Sequence, residues 1–186
     1  MKIAITGGIG SGKSYVCRLL RQQGIEVYDC DAAAKRLMRT SDDLKARLCA
    51  LIGPDAYTDD GNLNKAVVAR FLLKSQDNAH AIDAIVHPAV VSDFLQSGLT
   101  WMESAILYQA GLAHIVDRVI AVTAPEEVRV RRIMQRDGIT REKAQEWLGR
   151  QWPQEEVSRL ADYEIINDGR PLEPQVTEIL NRINHL

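Results

Sequence analysis

The chain has 186 residues, enough for a single core with insertions. Its 46% hydrophobic and 26% charged content is that of an ordinary soluble globular protein and excludes disordered and fibrous classes. With 23 basic against 25 acidic residues the net charge is −2, so no overall basic excess points to nucleic acid or to a membrane surface as partner.

Cys17, Cys30 and Cys49 are odd in number and form no Cys-x-x-Cys pair, which argues against a disulfide framework or a zinc site. The N-terminus enters a β-prone run almost at once, and no apolar stretch approaches the roughly 20 residues of a membrane span. The expectation is a cytoplasmic protein, monomeric or weakly self-associating.

Taken in order, Ile3-Ala4-Ile5 reads as a short buried strand. It is followed by Gly7-Gly8-Ile9-Gly10-Ser11-Gly12-Lys13-Ser14, which fits the pattern of a phosphate-binding loop. Val16, Leu19 and Leu20 then recur at helical spacing, and Gly24 supplies a stop. The residue types suit the chemistry. Gly7, Gly10 and Gly12 open backbone angles that let successive N–H groups turn inward around a polyphosphate, and the helix start adds positive potential behind it. Lys13, as an exposed loop side chain, would reach the β- and γ-phosphates, and the Ser14 hydroxyl would ligate the Mg²⁺ that ATP carries.

Ile25 to Tyr28 resembles a second strand, running into Asp29-Cys30-Asp31. If the chain stays extended, Asp29 and Asp31 share one side at the carboxyl end of the sheet, where ligands collect. Asp31 is either a base accepting a hydroxyl proton or the cap of the helix over Ala32 to Met38; position alone leaves both open. From Asp42 to Gln96 the chain reads as helices, with an irregular stretch over Gly53 to Gly61. No strand is evident there, so the block is an insertion suited to an acceptor pocket. His87-Pro88 reads as a helix start with Pro88 in its first turn; His87 is then a cap, a packed histidine or a substrate ligand.

Leu99 to Leu107 suggests a buried third strand containing one carboxylate, Glu103. An acid in that setting needs a partner, so Glu103 is a candidate for the outer magnesium shell or for holding substrate, unless it occupies a solvent-facing edge. Arg118 to Thr123 is a fourth strand, followed by the helix start Ala124-Pro125-Glu126-Glu127. Tyr163 to Ile166 is a fifth, ending in the Asn167-Asp168-Gly169 turn. Between them lies a concentration of arginines, with Arg129, Arg132 and Arg136 on one helical face. Thr140 and Pro153 begin two further helices. Most of these arginines read as a solvated face paired with Glu142, Glu146, Glu155 and Glu156; Arg132 and Arg136 read as phosphate contacts.

A guanine-reading Asn-Lys-x-Asp is missing, since Asn64-Lys65-Ala66-Val67 lacks the acid, and no long apolar strand ends in Asp. A small kinase with a helical acceptor pocket and an arginine-bearing lid remains. Thr6 to Ser14, Asp29-Cys30-Asp31, His87-Pro88, Gln135-Arg136-Asp137, Thr140-Arg141-Glu142, Gln151-x-Pro153, Ala161-Asp162-Tyr163 and the Asn167 turn resemble the dephospho-CoA kinase family in order and spacing, over nearly the whole chain.

The resemblance implies an α/β three-layer P-loop kinase fold with a five-stranded parallel sheet. It divides the chain into core (1–31), a helical acceptor-binding insertion (32–97), core (98–130), a lid (131–160) and core (161–186). It implies transfer of the γ-phosphoryl group of ATP to the 3′-hydroxyl of dephospho-CoA, with ATP and Mg²⁺ as cofactors and neither nucleic acid nor membrane as partner. Asp31 and Lys13 take catalytic positions; Gly8, Ile9, Gly10, Ser11, Gly12, Lys13, Ser14, Tyr15, Arg132 and Arg136 hold the nucleotide; His87, Glu103 and Arg141 hold substrate. The chain departs from the family pattern at Tyr15, commonly Thr, where a phosphate contact is expected through the main-chain N–H, and at Gln109, commonly an acid. A kinase for a nucleoside or other small metabolite, or a nucleotide-binding module without turnover, are the alternatives.

Overall fold

The computed structural model describes residues 1–75 and 77–185. In chain order the elements are β1 (Ile3–Thr6), α1 (Lys13–Gln22), β2 (Val27–Asp29), α2 (Cys30–Thr40), α3 (Asp42–Ile52), α4 (Lys65–Lys74), α5 (Asp77–Gln96), β3 (Trp101–Glu103), β4 (Arg118–Thr123), α6 (Glu126–Asp137), α7 (Arg141–Gly149), α8 (Gln154–Leu160), β5 (Tyr163–Ile166) and α9 (Glu173–Asn184). Among the described residues no helix is long and apolar enough to cross a membrane.

The sheet has five strands in the order β2-β3-β1-β4-β5, and the pairings of β1 with β3, β1 with β4 and β4 with β5 are parallel. β1 is the central strand, with later strands added on both sides of it, and the crevice at its carboxyl end is where such sheets bind ligands. The chain divides into two compact units, 1–28 with 99–186, and 29–98.

In the first unit, β1 and all but the first residue of β4 are buried, as expected of strands covered on both faces. Ile3, Ile5, Ile120, Val122 and Ile165 pack with Val16 and Leu20 of α1 and with Val176, Ile179, Leu180 and Ile183 of α9. The residues expected to form the last helix's apolar face therefore do so. β3 is shorter than the sequence suggests. It ends at Glu103, where the Ser104 N–H donates to the Ile5 carbonyl, and residues 105–111 turn rather than extend. Strand pairing stops where β1 itself gives way to the loop.

The second unit is helical. Leu44 and Leu48 of α3 and Val86, Val90 and Phe94 of α5 are buried, and α5 packs on α2, α3 and α4. Ser41 caps α3 through the Leu44 N–H and Asn64 caps α4 through the Val67 N–H, so Asn64 is a structural residue. Two expectations change here. Pro88 lies inside α5 rather than in a first turn. Val86, Val90 and Phe94, spaced four apart along one stripe, are buried on both sides of it, and that burial holds the helix through the hydrogen bond Pro cannot make. Asp29 and Asp31 do not share an extended face either. α2 begins at Cys30, and Asp29 is its cap, accepting from the Ala32 N–H at 2.9 Å.

Leu48 is 1% exposed. Leu48→Ala should cost about 2–5 kcal/mol, read as a lower urea midpoint at unchanged slope.

Candidate functional site

The loop between β1 and α1 is built by what grips its outside. The Arg129 Nε donates to the Ile9 carbonyl at 3.0 Å. Arg132 Nη1 donates to the Gly10 and Ser11 carbonyls at 3.2 and 3.3 Å, and Asn167 Nδ2 to the Ser11 carbonyl at 2.8 Å. Arg132 Nη2 in turn donates to Asn167 Oδ1 at 3.0 Å. Three consecutive carbonyls are thereby held on one side. In a planar trans peptide the following N–H points the opposite way, so the N–H groups of Gly10 and Gly12 are turned to the other face. Among the described residues the N–H groups of Gly10, Gly12 and Ser14 find no acceptor. Orphan donors at a helix start are an anion site.

Two glycines are required by this grip. A Cβ at Gly8 would lie 2.2 Å from Arg129 Nη2 and 2.9 Å from Gln151 Oε1, although its backbone angle is ordinary. One at Gly12, at φ +105°, would lie 2.1 Å from Asn167 Nδ2. Ser11 Oγ is buried and has no hydrogen-bond partner among the described residues.

Lys13 is the first residue of α1 and only 8% exposed, with Nζ 3.6 Å from Glu103 Oε1. The expectation of an exposed loop lysine is corrected by the register that sets Glu103 on β3 opposite Ile5 on β1. The same pair supplies the partner that a half-buried Glu103 needs, so it is not a solvent-facing edge residue. Ser14 is exposed at the same helix start. The Tyr15 N–H, expected at phosphate, donates instead to the Gly12 carbonyl at 2.9 Å, and its hydroxyl donates to Glu173 Oε1 at 2.6 Å. That bond raises the Tyr15 pKa above the ordinary phenol value.

The arginines separate. Arg129, 6% exposed, lies along the loop with its backbone against Gly10; burial lowers its pKa, and the charges of Glu126 and Glu155 oppose the shift. Arg136 is exposed in the last turn of α6 and pairs with Asp137 at 2.7 Å. Arg141 pairs with Glu127 at 2.5 Å. Neither touches the loop.

The sequence reading missed Arg129, Asn167 and Gln151. Arg129 stands three residues before Arg132 on the same helical face, which was the available signal. Asn167 follows β5 at the carboxyl edge of the sheet. Gln151 accepts from the Ile9 N–H at 2.7 Å and Gln154 from the Ala124 N–H at 2.9 Å, so the turn after α7 meets the loop and the start of α8 meets the end of β4. Ile9 also packs beside Val130, Ile133 and Ala144, joining the loop to the base of α6 and α7.

In the 29–98 unit, Asp31 is exposed in the first turn of α2, its Oδ2 3.9 Å from Lys35 Nζ. Since Asp29 is the cap, the alternative role of Asp31 as cap falls away. His87 is half-buried in α5, with Nε2 3.6 Å from Asp83 Oδ1, and is not a cap.

A family model described as dephospho-CoA kinase matches residues 1–173. A dephospho-CoA kinase of Bacteroides fragilis is 39% identical, covering 97% of this chain and 91% of its own. Among solved structures, the protein TT1252 of Thermus thermophilus is 33% identical with a TM-score of 0.82, over 100% of this chain and 96% of its own. A dephospho-CoA kinase from Campylobacter jejuni, 19% identical with a TM-score of 0.68 over 98% of both chains, shares the fold. The loop, the sheet order and these matches agree: the chain is a kinase, a transferase, and belongs to the dephospho-CoA kinase family.

Proposed function

We propose that the chain transfers the γ-phosphoryl group of ATP to the 3′-hydroxyl of dephospho-CoA, releasing coenzyme A and ADP. The observation that carries this reading is the loop whose carbonyls are clamped outward while Gly10, Gly12 and Ser14 keep unpartnered N–H donors beside Lys13. Such a site is preorganised for a polyphosphate and spends no reorganisation when charge moves in the transition state. The orphan donors and the exposed Ser14 hydroxyl fit ATP and its Mg²⁺, with Ser14 as the protein's oxygen ligand to the ion. The metal would supply neutralisation of the phosphate oxygens.

In the step itself, Asp31 accepts or orients the proton of the attacking hydroxyl. The new bond joins that oxygen to the γ-phosphorus, the bond to the β-phosphate oxygen breaks, and Lys13 neutralises charge on the group in transit. Lys13 exchanges its contact with Glu103 for contact with phosphate. His87 binds acceptor. On the 131–160 lid, Arg136 releases Asp137 to reach phosphate and Arg141 releases Glu127 to hold substrate when the lid closes.

Lys13→Ala should lower turnover by about 10²-fold or more and lower thermal stability, because Glu103 loses its ion pair with Lys13. Adding Glu103→Gln should recover stability without turnover, as followed by coupled ADP release and thermal melts; near-normal turnover of the single variant would remove Lys13 from the chemistry. Asp31→Asn should reduce kcat by about 10²-fold with ATP affinity and stability nearly unchanged. Asp29→Ala should instead cost about 1 kcal/mol of stability by uncapping α2. An active Asp31→Asn enzyme would sink the catalytic role. Hydrogen exchange over residues 131–160 should slow when an ATP analogue binds, and equal rates at saturation would count against a lid.

A further inference from the structure

After β3 the chain turns over residues 105–111. Residues 105–109 form one side of a crevice of about 10 Å³. Thr6 and Gly8, at the end of β1 and the start of the phosphate loop, form a second side, and Gln151, Trp152 and Val157 a third. That volume is about what one water molecule needs. The crevice adjoins the phosphate site on two counts. Lys13 Nζ lies 3.6 Å from Glu103, the last residue of β3, so the turn begins just beyond the ammonium proposed to meet the terminal phosphates. Gln151 Oε1 is tied to the Ile9 N–H at 2.7 Å, which holds the third side against the loop.

Two aromatic rings close the crevice. Tyr108 and Trp152 stack with ring centroids 6.5 Å apart and an 8° angle between their planes, joining the turn after β3 to the turn after α7. Trp152 is 41% exposed and Leu107 is fully buried, so the crevice runs from surface to core with Trp152 at its outer end. Tyr108 Oη is buried, and the described residues offer it no hydrogen-bond partner. Burial, with the charge of Asp162 adding, pushes its pKa up to about 12, so the hydroxyl stays protonated and is no base at neutral pH. Among the described residues no acid and no histidine lines the crevice. What Tyr108 contributes is its ring.

We infer that the Tyr108–Trp152 stack keeps water from the terminal phosphate, so that the γ-phosphoryl group passes to the acceptor hydroxyl and not to water. The inference rests on the phosphoryl transfer proposed above and adds the pair that sets its specificity against hydrolysis. Water is smaller than any acceptor and always present, so the loop that accelerates transfer also accelerates the competing step. In that step a water oxygen bonds to the γ-phosphorus, the bond to the β-phosphate oxygen breaks, and ADP, inorganic phosphate and the water's proton leave. Gln151 and Trp152 are adjacent, so one turn holds the loop and covers the crevice beside it.

The test uses the full chain with ATP and Mg²⁺ and no acceptor. Trp152→Ala and, separately, Tyr108→Leu should raise ADP release about tenfold, with KM for ATP within about twofold of wild type. Trp152→Phe, which keeps a ring at the position, should hold release within about twofold of wild type. Thermal melts accompany each variant, and Tyr108→Leu carries the comparison if Trp152→Ala does not fold. A pair that only packed α8 on the sheet would lower the melting temperature and leave ADP release unchanged, which overturns the inference. An equal rise in Leu48→Ala, whose change lies in the other unit, overturns it too, since hydrolysis would then follow lost stability. A wild type that forms no coenzyme A would remove the proposed reaction, while acceptor-free ADP release would still decide the role of the stack.

Discussion

The carbonyl groups of Ile9, Gly10 and Ser11 are the constraint on which the phosphate loop depends. A glycine-rich segment left to itself samples many conformations, and its amides point inward only part of the time. Arg129, Arg132 and Asn167 remove that freedom by holding the carbonyl side, and peptide planarity carries the restraint across to the N–H side. The arginines come from α6 and the asparagine from the end of β5, so the loop's shape is set by elements more than 100 residues away in sequence. The order of the sheet brings them there, with β4 beside β1 and β5 beside β4.

Electrostatics at the site follow from burial as much as from charge. Lys13, Arg129 and Arg132 converge on one loop, Lys13 facing the carboxylate of Glu103 and Arg129 feeling those of Glu126 and Glu155. Arg129 stays charged although burial lowers its pKa, because guanidinium starts so far above neutrality. Its hydrogen bond to Ile9 is charge-assisted and shielded from water, which makes it stronger than the exposed pairs of Arg136 and Arg141. Those exposed pairs are inexpensive to break.

The helical unit uses a different economy of interactions. Its buried residues come from α2, α3 and α5 and from Ala56, while the described residues of α4 contribute none. Capping by Asp29, Ser41 and Asn64 starts three helices and leaves Asp31 without a structural duty, exposed one residue into α2.

The sequence alone determined the strand, loop and helix around Gly7 to Ser14, the five strands, the helical block between Asp42 and Gln96 and the apolar face of the last helix. Each is a local pattern of hydrophobic period, glycine and cap that needs no partner to be read. Local pattern also sufficed to mark Glu103 as an acid in need of a partner. It read Arg132 as a phosphate contact, whereas its hydrogen bonds go to the Gly10 and Ser11 carbonyls and to Asn167. It failed where neighbours decide. The length of β3, the persistence of α5 through Pro88, the burial of Lys13 and the choice of Asp29 over Asp31 as cap each depend on what packs or pairs alongside. Arg129, Asn167 and Gln151 went unassigned to the site for the same reason: their partners are backbone groups of the loop, which have no identity in a sequence. Arg129 and Arg136 look alike on one helical face, yet one lies buried on the loop and the other in solvent, because only the first falls where α6 passes Gly10.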